Sequence, residues 1–410
     1  MSGERNSVLF VHHRDISSSY SSTAEHYVSK KMAASATVHV LCHGRRDVED
    51  GDGPPADVTY HTVDTGSIPV VSGVLFHVLC LLYGAALGLR YQYDAVYSFQ
   101  QTVLQGWVAA MAGGSRFVVG LVSVPVRQKR DFVESGTGRD VKDRLSVAMK
   151  SLYAELFGAV LVQATAVVCL TEGIRQVTEE EYGVDLSDAF VIGMGVDVDT
   201  FAEGARRGAD ARNRDDDADL VVTYVGSIGL IRGIGDVIEA VAKSDHDVRF
   251  RIVGDGRDDT IDQLKSRARD LGVTDRVEFV GLVPHDEIPR VLGGTDVAVS
   301  PLGDIESFRI SFPGKLLEYM AAGTVVVATD LPAHRQLLTH GENGLIYDGS
   351  TEELVRTLDA CVEGTVDRRS LERGARATAA AHDWDVIVAR HERVLFDYPV
   401  EQRRAAPVSA

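Results

Sequence analysis

The chain has 410 residues and a formal net charge of −18, and 45% of its residues are hydrophobic. This length predicts two globular domains with ample apolar core, and the negative charge argues against nucleic acid as a partner. The four cysteines are scattered, and the N-terminus lacks a basic region followed by an apolar run. We therefore expect a reduced, cytoplasmic protein without a signal peptide. Aspartate-rich, lysine-poor stretches such as 214–219 are typical of halophilic proteins, the alternative being an ordinary acidic mesophile.

The first half of the chain alternates apolar strands with helical segments. A helix is predicted at Ser22–Ala33, and strands are predicted at Ser7–His12, Thr37–Leu41, Asp94–Ser98, Phe117–Val122 and Ala166–Thr171. The loop after the first strand contains two histidines and several serines. Its serine hydroxyls suit an acceptor pocket, so the candidate acceptor-side residues are Ser18, Ser19 and Ser21. His12 and His13 are candidates for a general base, and an inert histidine pair is the alternative.

Residues 65–89 carry no formal charge. About 20 apolar residues suffice to cross a bilayer, but predicted strands of one sheet flank this segment, which argues against a span. We predict a helix over Ile68–Leu89 that either packs on the sheet or dips into the membrane interface. The preferred interpretation is core packing, with peripheral association of the whole protein at the membrane.

A charged, weakly apolar stretch at Gly204–Asp219 predicts an interdomain linker. The predicted organisation has an N-terminal domain at 1–203, this acidic linker, and a C-terminal domain at 220–380. A C-terminal helix at 381–400 is expected to return to the first domain, and 401–410 to form a disordered tail.

The second half repeats the alternation more sharply. Strands are predicted at Val221–Gly226, Arg249–Gly256, Val277–Val283, Asp296–Pro301 and Thr324–Thr329. Strands separated by helices predict a parallel sheet with right-handed crossovers. Ligands of such sheets bind beyond the carboxyl ends of the strands, where most of these segments place a glycine or Ser-Pro.

The segment Ser311–Gly323 predicts a loop followed by a short helix. Ser311 is a candidate N-cap, and Pro313 and Gly314 fall in the first turn. Free N–H groups at such a helix start, together with Lys315, suit a phosphate. Glu318 lies one turn further on, where a carboxylate can accept hydrogen bonds from sugar hydroxyls. The alternative is an ordinary capped helix.

Residues 220–350 resemble the donor-binding half of family 4 glycosyltransferases. The resemblance rests on Arg232-Gly233, on 252–256, on Lys315 to Gly323 and on Gly341 to Leu345. It implies an α/β fold of two Rossmann-like parallel-sheet domains facing across a cleft (GT-B). In similar enzymes, basic residues bind the donor diphosphate and a Glu binds its ribose or sugar. The sequence departs from the family pattern at Ser227, where Arg is usual, and at Ile310, where a second Glu is usual.

The resemblance implies a retaining glycosyltransferase that moves a sugar from a nucleotide-diphosphate sugar to a glycan or lipid-linked acceptor. The predicted catalytic residues are Arg232, Lys315, Glu318 and His13. The predicted donor-binding residues are Gly226, Ser227, Gly229, Gly233, Gly254, Gly256, Gly281, Ser311, Pro313 and Gly314. No metal or other cofactor is expected. The alternatives are a sugar-nucleotide 2-epimerase of the same fold and a non-catalytic sugar-nucleotide-binding subunit.

Overall fold

The chain divides into two units in a computed structural model, which describes residues 5–13, 24–44, 57–65, 69–123, 156–211 and 218–398. The first unit comprises Met1–Met194 together with Trp384–Ala410, and the second comprises Gly195–Asp383. Each unit is built around its own parallel sheet.

The first unit contains a parallel sheet with the order β3-β2-β1-β4-β5-β6-β7. Its strands are β1 Ser7–Val11, β2 Thr37–His43, β3 Val58–Val63, β4 Ala95–Phe99, β5 Arg116–Leu121, β6 Ala166–Cys169 and β7 Phe190–Val191. Its helices are α1 Ala24–Met32, α2 Pro69–Tyr91, α3 Val103–Gly113 and α4 Glu172–Tyr182, and residues 156–161 are also helical. Every residue of β4 is buried, because helices cover both faces of such a sheet.

The second unit contains a parallel sheet with the order β10-β9-β8-β11-β12-β13. Its strands are β8 Leu220–Val225, β9 Val248–Val253, β10 Val277–Gly281, β11 Val297–Ser300, β12 Val325–Thr329 and β13 Leu345–Tyr347. Its helices are α5 Val198–Ala211, α6 Ile234–Lys243, α7 Asp258–Asp270, α8 Ile288–Gly293, α9 Glu306–Ile310, α10 Gly314–Ala322, α11 Pro332–Arg335, α12 Thr351–Glu363 and α13 Arg368–Ala381.

The predicted fold class is confirmed, since both units are parallel-sheet α/β structures. The sequence analysis missed two short strands, β7 and β13, and the edge strand β3. Only the two end residues of β3 are buried, and the strand carries His61 and two threonines. It therefore lacks the continuous apolar run that marks the inner strands.

The predicted linker is wrong for residues 204–211, because α5 continues through them as a helix of the second unit. Phe201 and Ala205 are buried against the second core, while the charged side chains of Arg206 and Arg207 lie on the outer side. A helix with one apolar face can have a largely charged composition, so composition alone does not distinguish this helix from a linker. The first domain consequently ends at Met194, before α5.

The C-terminal helix α14, Trp384–Glu392, belongs to the first unit. Trp384 is buried and stacks on Tyr27 of α1, with ring centroids 5.0 Å apart. Buried His391 pairs with the Tyr97 hydroxyl of β4 at 3.2 Å. The predicted tail at 401–410 lies outside the described residues.

Helix α2 begins at Pro69 within the uncharged segment, and from Leu75 onward it has a buried side and an exposed side. Phe76, Cys80 and Leu87 are buried on its inner side. On its outer side Leu82 is 63% exposed and Leu89 is 66% exposed. Among the helices that the structure describes, none has the length and apolar character needed to cross a membrane.

Candidate functional site

The carboxyl ends of β8, β9 and β10 lie side by side and carry glycine turns that bond to one another. The Gly226 N–H donates to the Val253 carbonyl at 2.8 Å, and the Gly254 N–H donates to the Gly281 carbonyl at 2.8 Å. Gly256 forms an isolated parallel bridge with the loop after β8. The second sheet therefore brings these predicted glycines to one edge, where ligands of parallel sheets bind.

Two of these glycines are required by close approaches. Gly226 has a φ of +149°, and a Cβ there would lie 2.5 Å from Lys315 Cε and 2.8 Å from its Nζ. Gly254 has a φ of +139°, and a Cβ there would lie 1.9 Å from the Gly226 carbonyl oxygen. A residue without a side chain therefore lets the Lys315 ammonium group lie directly against the first turn.

The loop after β8 contains the departure from the family pattern. Ser227 is exposed, and its carbonyl accepts a hydrogen bond from the buried Tyr224 hydroxyl at 2.8 Å. Gly229 and Gly233 flank a single 3-10 turn that carries Arg232. The hydrogen bond from Tyr224 fixes the start of the loop, and the 3-10 turn places Arg232 at its end.

Arg232 and Lys315 lie near each other at this edge. Burial lowers the pKa of Lys315, Glu318 opposes that shift, and the positive charge of Arg232 lowers it further. The Arg232 guanidinium carbon is 5.3 Å from the centre of the Phe308 ring, which holds it by a cation–π contact. Two cations brought this close repel each other, so an anion bound beside them would be stabilised by both.

Helix α10 begins at Gly314, with Pro313 at its N-cap position. No side chain of the described residues caps this end. The predicted N-cap is wrong, because Ser311 ends α9 instead and its hydroxyl donates to the Phe308 carbonyl at 3.0 Å. The Gly314 and Leu316 N–H groups donate to the Phe312 and Pro313 carbonyls at 3.0 Å and 2.9 Å, so what the start of α10 offers an anion beside Lys315 is the positive end of its dipole.

Glu318, in the second turn of α10, pairs with a residue that the sequence analysis missed. His285 Nε2 lies 3.0 Å from Glu318 Oε1. The bond to Glu318 raises the pKa of His285, although burial and Lys315 lower it. The only sequence signal for His285 is its place in the loop just after β10, at the same carboxyl edge as the glycine turns.

The candidates in the first unit are less well supported. His12 is buried and stacks on Phe99, with ring centroids 4.4 Å apart, so its ring is part of the packing. His13 follows β1 and is partly buried. The acceptor-side candidates Ser18, Ser19 and Ser21 lie outside the described residues, and that prediction stays a prediction.

Within the described ranges, no group of three or more His, Cys, Asp or Glu side chains is placed to hold a metal ion. Of the aspartates in the acidic stretch, Asp219 accepts a hydrogen bond from the Asp247 N–H at 3.0 Å at the start of β8. Asp215, Asp216 and Asp217 lie outside the described residues. The expectation of metal-independent transfer remains a prediction.

The sequence is similar to those of characterised glycosyltransferases over part of its length. It is 33% identical over 217 residues to the phosphatidyl-myo-inositol mannosyltransferase of Mycobacterium tuberculosis, covering 51% of this chain and 54% of that one. It is 27% identical over 263 residues to the D-inositol 3-phosphate glycosyltransferase of Geodermatophilus obscurus, covering 60% of this chain and 57% of that one. The chain thus spans about half the length of the curated relatives it matches.

Solved structures share the fold of the whole chain. The Anabaena protein HepE in complex with UDP and glucose matches with a TM-score of 0.71 at 19% identity, over 95% of this chain and 99% of that one. A glycosyltransferase from Rickettsia africae matches with a TM-score of 0.74 at 15% identity, over 96% and 98%. Residues 219–363 match the model of the family described as "Glycosyl transferases group 1". The second unit thus contains a segment that matches the model of the glycosyl transferases group 1 family, on a chain with the GT-B fold.

Proposed function

We propose that the protein is a retaining glycosyltransferase of family 4, which moves a sugar from a nucleotide-diphosphate sugar to a glycan or lipid-linked acceptor. The observation that carries this proposal is the Lys315 ammonium group against the Gly226 turn, beside Arg232 and the start of α10. Support comes from the matched family and from HepE, whose structure holds UDP and glucose.

The chemistry needs stabilisation of the leaving group. When the bond between the sugar and the diphosphate breaks, negative charge develops on the diphosphate oxygens. Arg232, Lys315 and the positive end of the α10 dipole would stabilise that charge, and because they are already positioned, little reorganisation is needed. Glu318 would bind the ribose end of the donor, as in similar enzymes.

We expect transfer without a metal, because Arg232 and Lys315 supply two cations at the proposed diphosphate site. We expect the rate of sugar transfer to be the same with and without EDTA. Loss of activity in EDTA, with recovery on adding manganese or magnesium, would contradict this expectation.

The proposed function is tested with the purified chain and a panel of nucleotide-diphosphate sugars, by following release of the nucleoside diphosphate with and without a lipid extract. Release that requires both donor and acceptor supports a transferase. An altered sugar nucleotide formed from donor alone would point to an epimerase. Donor binding without release under any condition would point to a non-catalytic subunit.

A lipid-linked acceptor at a membrane surface is the second part of the proposal. The Mycobacterium tuberculosis relative is named for a lipid, phosphatidyl-myo-inositol. The outer side of α2 offers an apolar surface to the membrane, namely Val78, Leu79, Leu82 and Leu89, which are 53%, 37%, 63% and 66% exposed. A helix with such a face lies in the interface, which fits peripheral association on the cytoplasmic side of the membrane.

A further inference from the structure

The pair of His285 and Glu318 joins two elements that the glycine turns do not connect. His285 lies in the 3-10 turn after β10, and Glu318 lies on α10. Their atoms Nε2 and Oε1 are 3.0 Å apart, and the two side chains are 30% and 21% exposed. Both side chains are partly accessible, and His285 follows the carboxyl end of β10, at the edge where the donor would bind.

A second helix, α5, also contacts the imidazole of His285. The Phe201 ring of α5 meets it edge-on, with ring centroids 5.9 Å apart and planes at 67°. The turn that carries His285 leads directly into α8, which begins at Ile288. The histidine is therefore anchored by two elements, whereas Glu318 has a longer side chain with more freedom to rotate.

We propose that His285 is a positioning residue of the donor site: it binds Glu318 Oε1 and so presents Oε2 to the ribose hydroxyls of the nucleotide. This inference rests on the proposed function and adds to it a residue that the sequence analysis did not identify. A carboxylate has two oxygens that accept hydrogen bonds, so one can be fixed while the other binds ligand. Fixing it beforehand removes the entropic cost of ordering that side chain on binding.

The pair also makes donor binding sensitive to pH. The charged groups that act on His285 are Glu318 and Lys315 of α10 and Asp286 of its own turn; the α5 neighbour Phe201 is uncharged. Their combined effect raises the pKa of His285 above its ordinary value of 6.5. At lower pH the imidazolium donates a charge-assisted hydrogen bond. As pH rises through the raised pKa, that charge is lost and Glu318 is held less firmly, so donor affinity should fall.

Calorimetric titration tests the inference. The tightest binder among UDP, GDP and ADP is identified, and its 2′,3′-dideoxy analogue is measured beside it. His285→Ala should weaken binding of the parent nucleotide about tenfold, the scale of one charge-assisted hydrogen bond, and change binding of the dideoxy analogue by less than about threefold. His285→Gln, which can still donate, should recover part of the loss and abolish the fall in affinity with rising pH.

His246→Ala is the matched control. His246 also faces a glutamate, Glu363, at 3.7 Å and is similarly exposed, at 27%, but it lies away from the carboxyl edge. This variant should bind the nucleotide like the unaltered protein. Equal affinity of His285→Ala and unaltered protein would overturn the inference alone, as would equal losses for the parent and dideoxy nucleotides. Failure of the unaltered protein to bind any of the three nucleotides would overturn the proposed function and the inference with it.

Discussion

Lys315 is the residue on which the proposed chemistry depends most directly. Its ammonium group occupies space that only a glycine at position 226 leaves open. Its pKa is lowered first by burial, which shows that the surroundings withhold solvent from a positive charge. A partly buried cation beside a second positive charge is a feature of functional sites, where an anionic ligand completes the balance.

Arg232→Ala and Lys315→Ala are each expected to lower the rate of transfer at least about tenfold, since each removes one charge-assisted contact to the diphosphate. Glu318→Gln should have a similar effect while the fold is retained. Steady-state kinetics with the active donor would measure these losses. Lys265→Ala is the control, because Lys265 makes a cation–π contact with Phe279 at 5.5 Å outside the site. Near-normal activity in all three site variants would refute the donor-site assignment.

His391 gives the first unit a dependence on pH that is unrelated to catalysis. Burial lowers its pKa from 6.5 to about 4, so it is neutral in the folded state at pH 5 while the unfolded chain binds a proton. The free energy of unfolding should therefore fall as pH drops from 6.5 towards 4, by on the order of 3 kcal/mol from this group.

Denaturant titrations at pH 7.5 and pH 5 would measure about 2 kcal/mol of that loss, and His391→Gln should show a smaller difference between the two pH values than the unaltered protein. His246→Gln controls for removal of a partly exposed histidine. An unchanged pH dependence in His391→Gln would contradict the assignment.

At the scale of elements, α2 decides between the two interpretations of the uncharged segment. Its inner side packs in the core, as the core-packing interpretation predicts. Its outer side is apolar and exposed, which that interpretation does not explain. Leu79 and Leu82, on this outer side, are 37% and 63% exposed. Changing them should therefore affect surface binding more than folding.

The double variant Leu79→Ser and Leu82→Ser is expected to lose at least about tenfold in affinity for phosphatidylcholine vesicles, since each leucine loses on the order of 1 kcal/mol of apolar burial in the interface. Its melting temperature should change little, and nucleotide binding should be unaffected. Vesicle flotation measures the affinity for membranes, and calorimetry measures the melting temperature and nucleotide binding. Leu271→Ser, at a 39% exposed leucine of the second unit, is the control. Unchanged flotation, or unfolding of the first unit, would exclude α2 as the membrane contact.

At the scale of the whole molecule, the charge of −18 acts against the compact state. Ion pairs such as Arg335 with Asp330 and Arg368 with Asp296 offset it locally, but the excess of acidic residues remains. A halophilic protein would use salt to screen this repulsion, and we propose that this one does.

The melting temperature is accordingly expected to rise by several degrees between about 0.1 M and about 1 M KCl, because the screening length falls from about 10 Å to about 3 Å. Differential scanning calorimetry measures it, and sucrose at equal osmolality is the control for general exclusion. A melting temperature that stays constant or falls with KCl would argue for an ordinary acidic mesophile.

The sequence by itself determined the fold class, the parallel character of both sheets, and the residues that meet at the carboxyl edge of the second sheet. These follow from local information: apolar runs of strand length, helical spacing between them, and glycine at the strand ends. Gly226, Gly254, Arg232 and Lys315 could be identified because their residue types are dictated by backbone approach and by charge.

Only the tertiary structure decided the contacts between residues that are distant in the chain. His285 is paired with Glu318 across 33 positions, and no local pattern predicts such a pair. The Ser311 hydroxyl could cap α10 or bond back to α9, and in the structure it donates to the Phe308 carbonyl of α9. Residues 204–211 became helix because Phe201 and Ala205 found an apolar surface in the second unit. Composition cannot reveal that surface, since burial depends on what the rest of the chain places beside a segment.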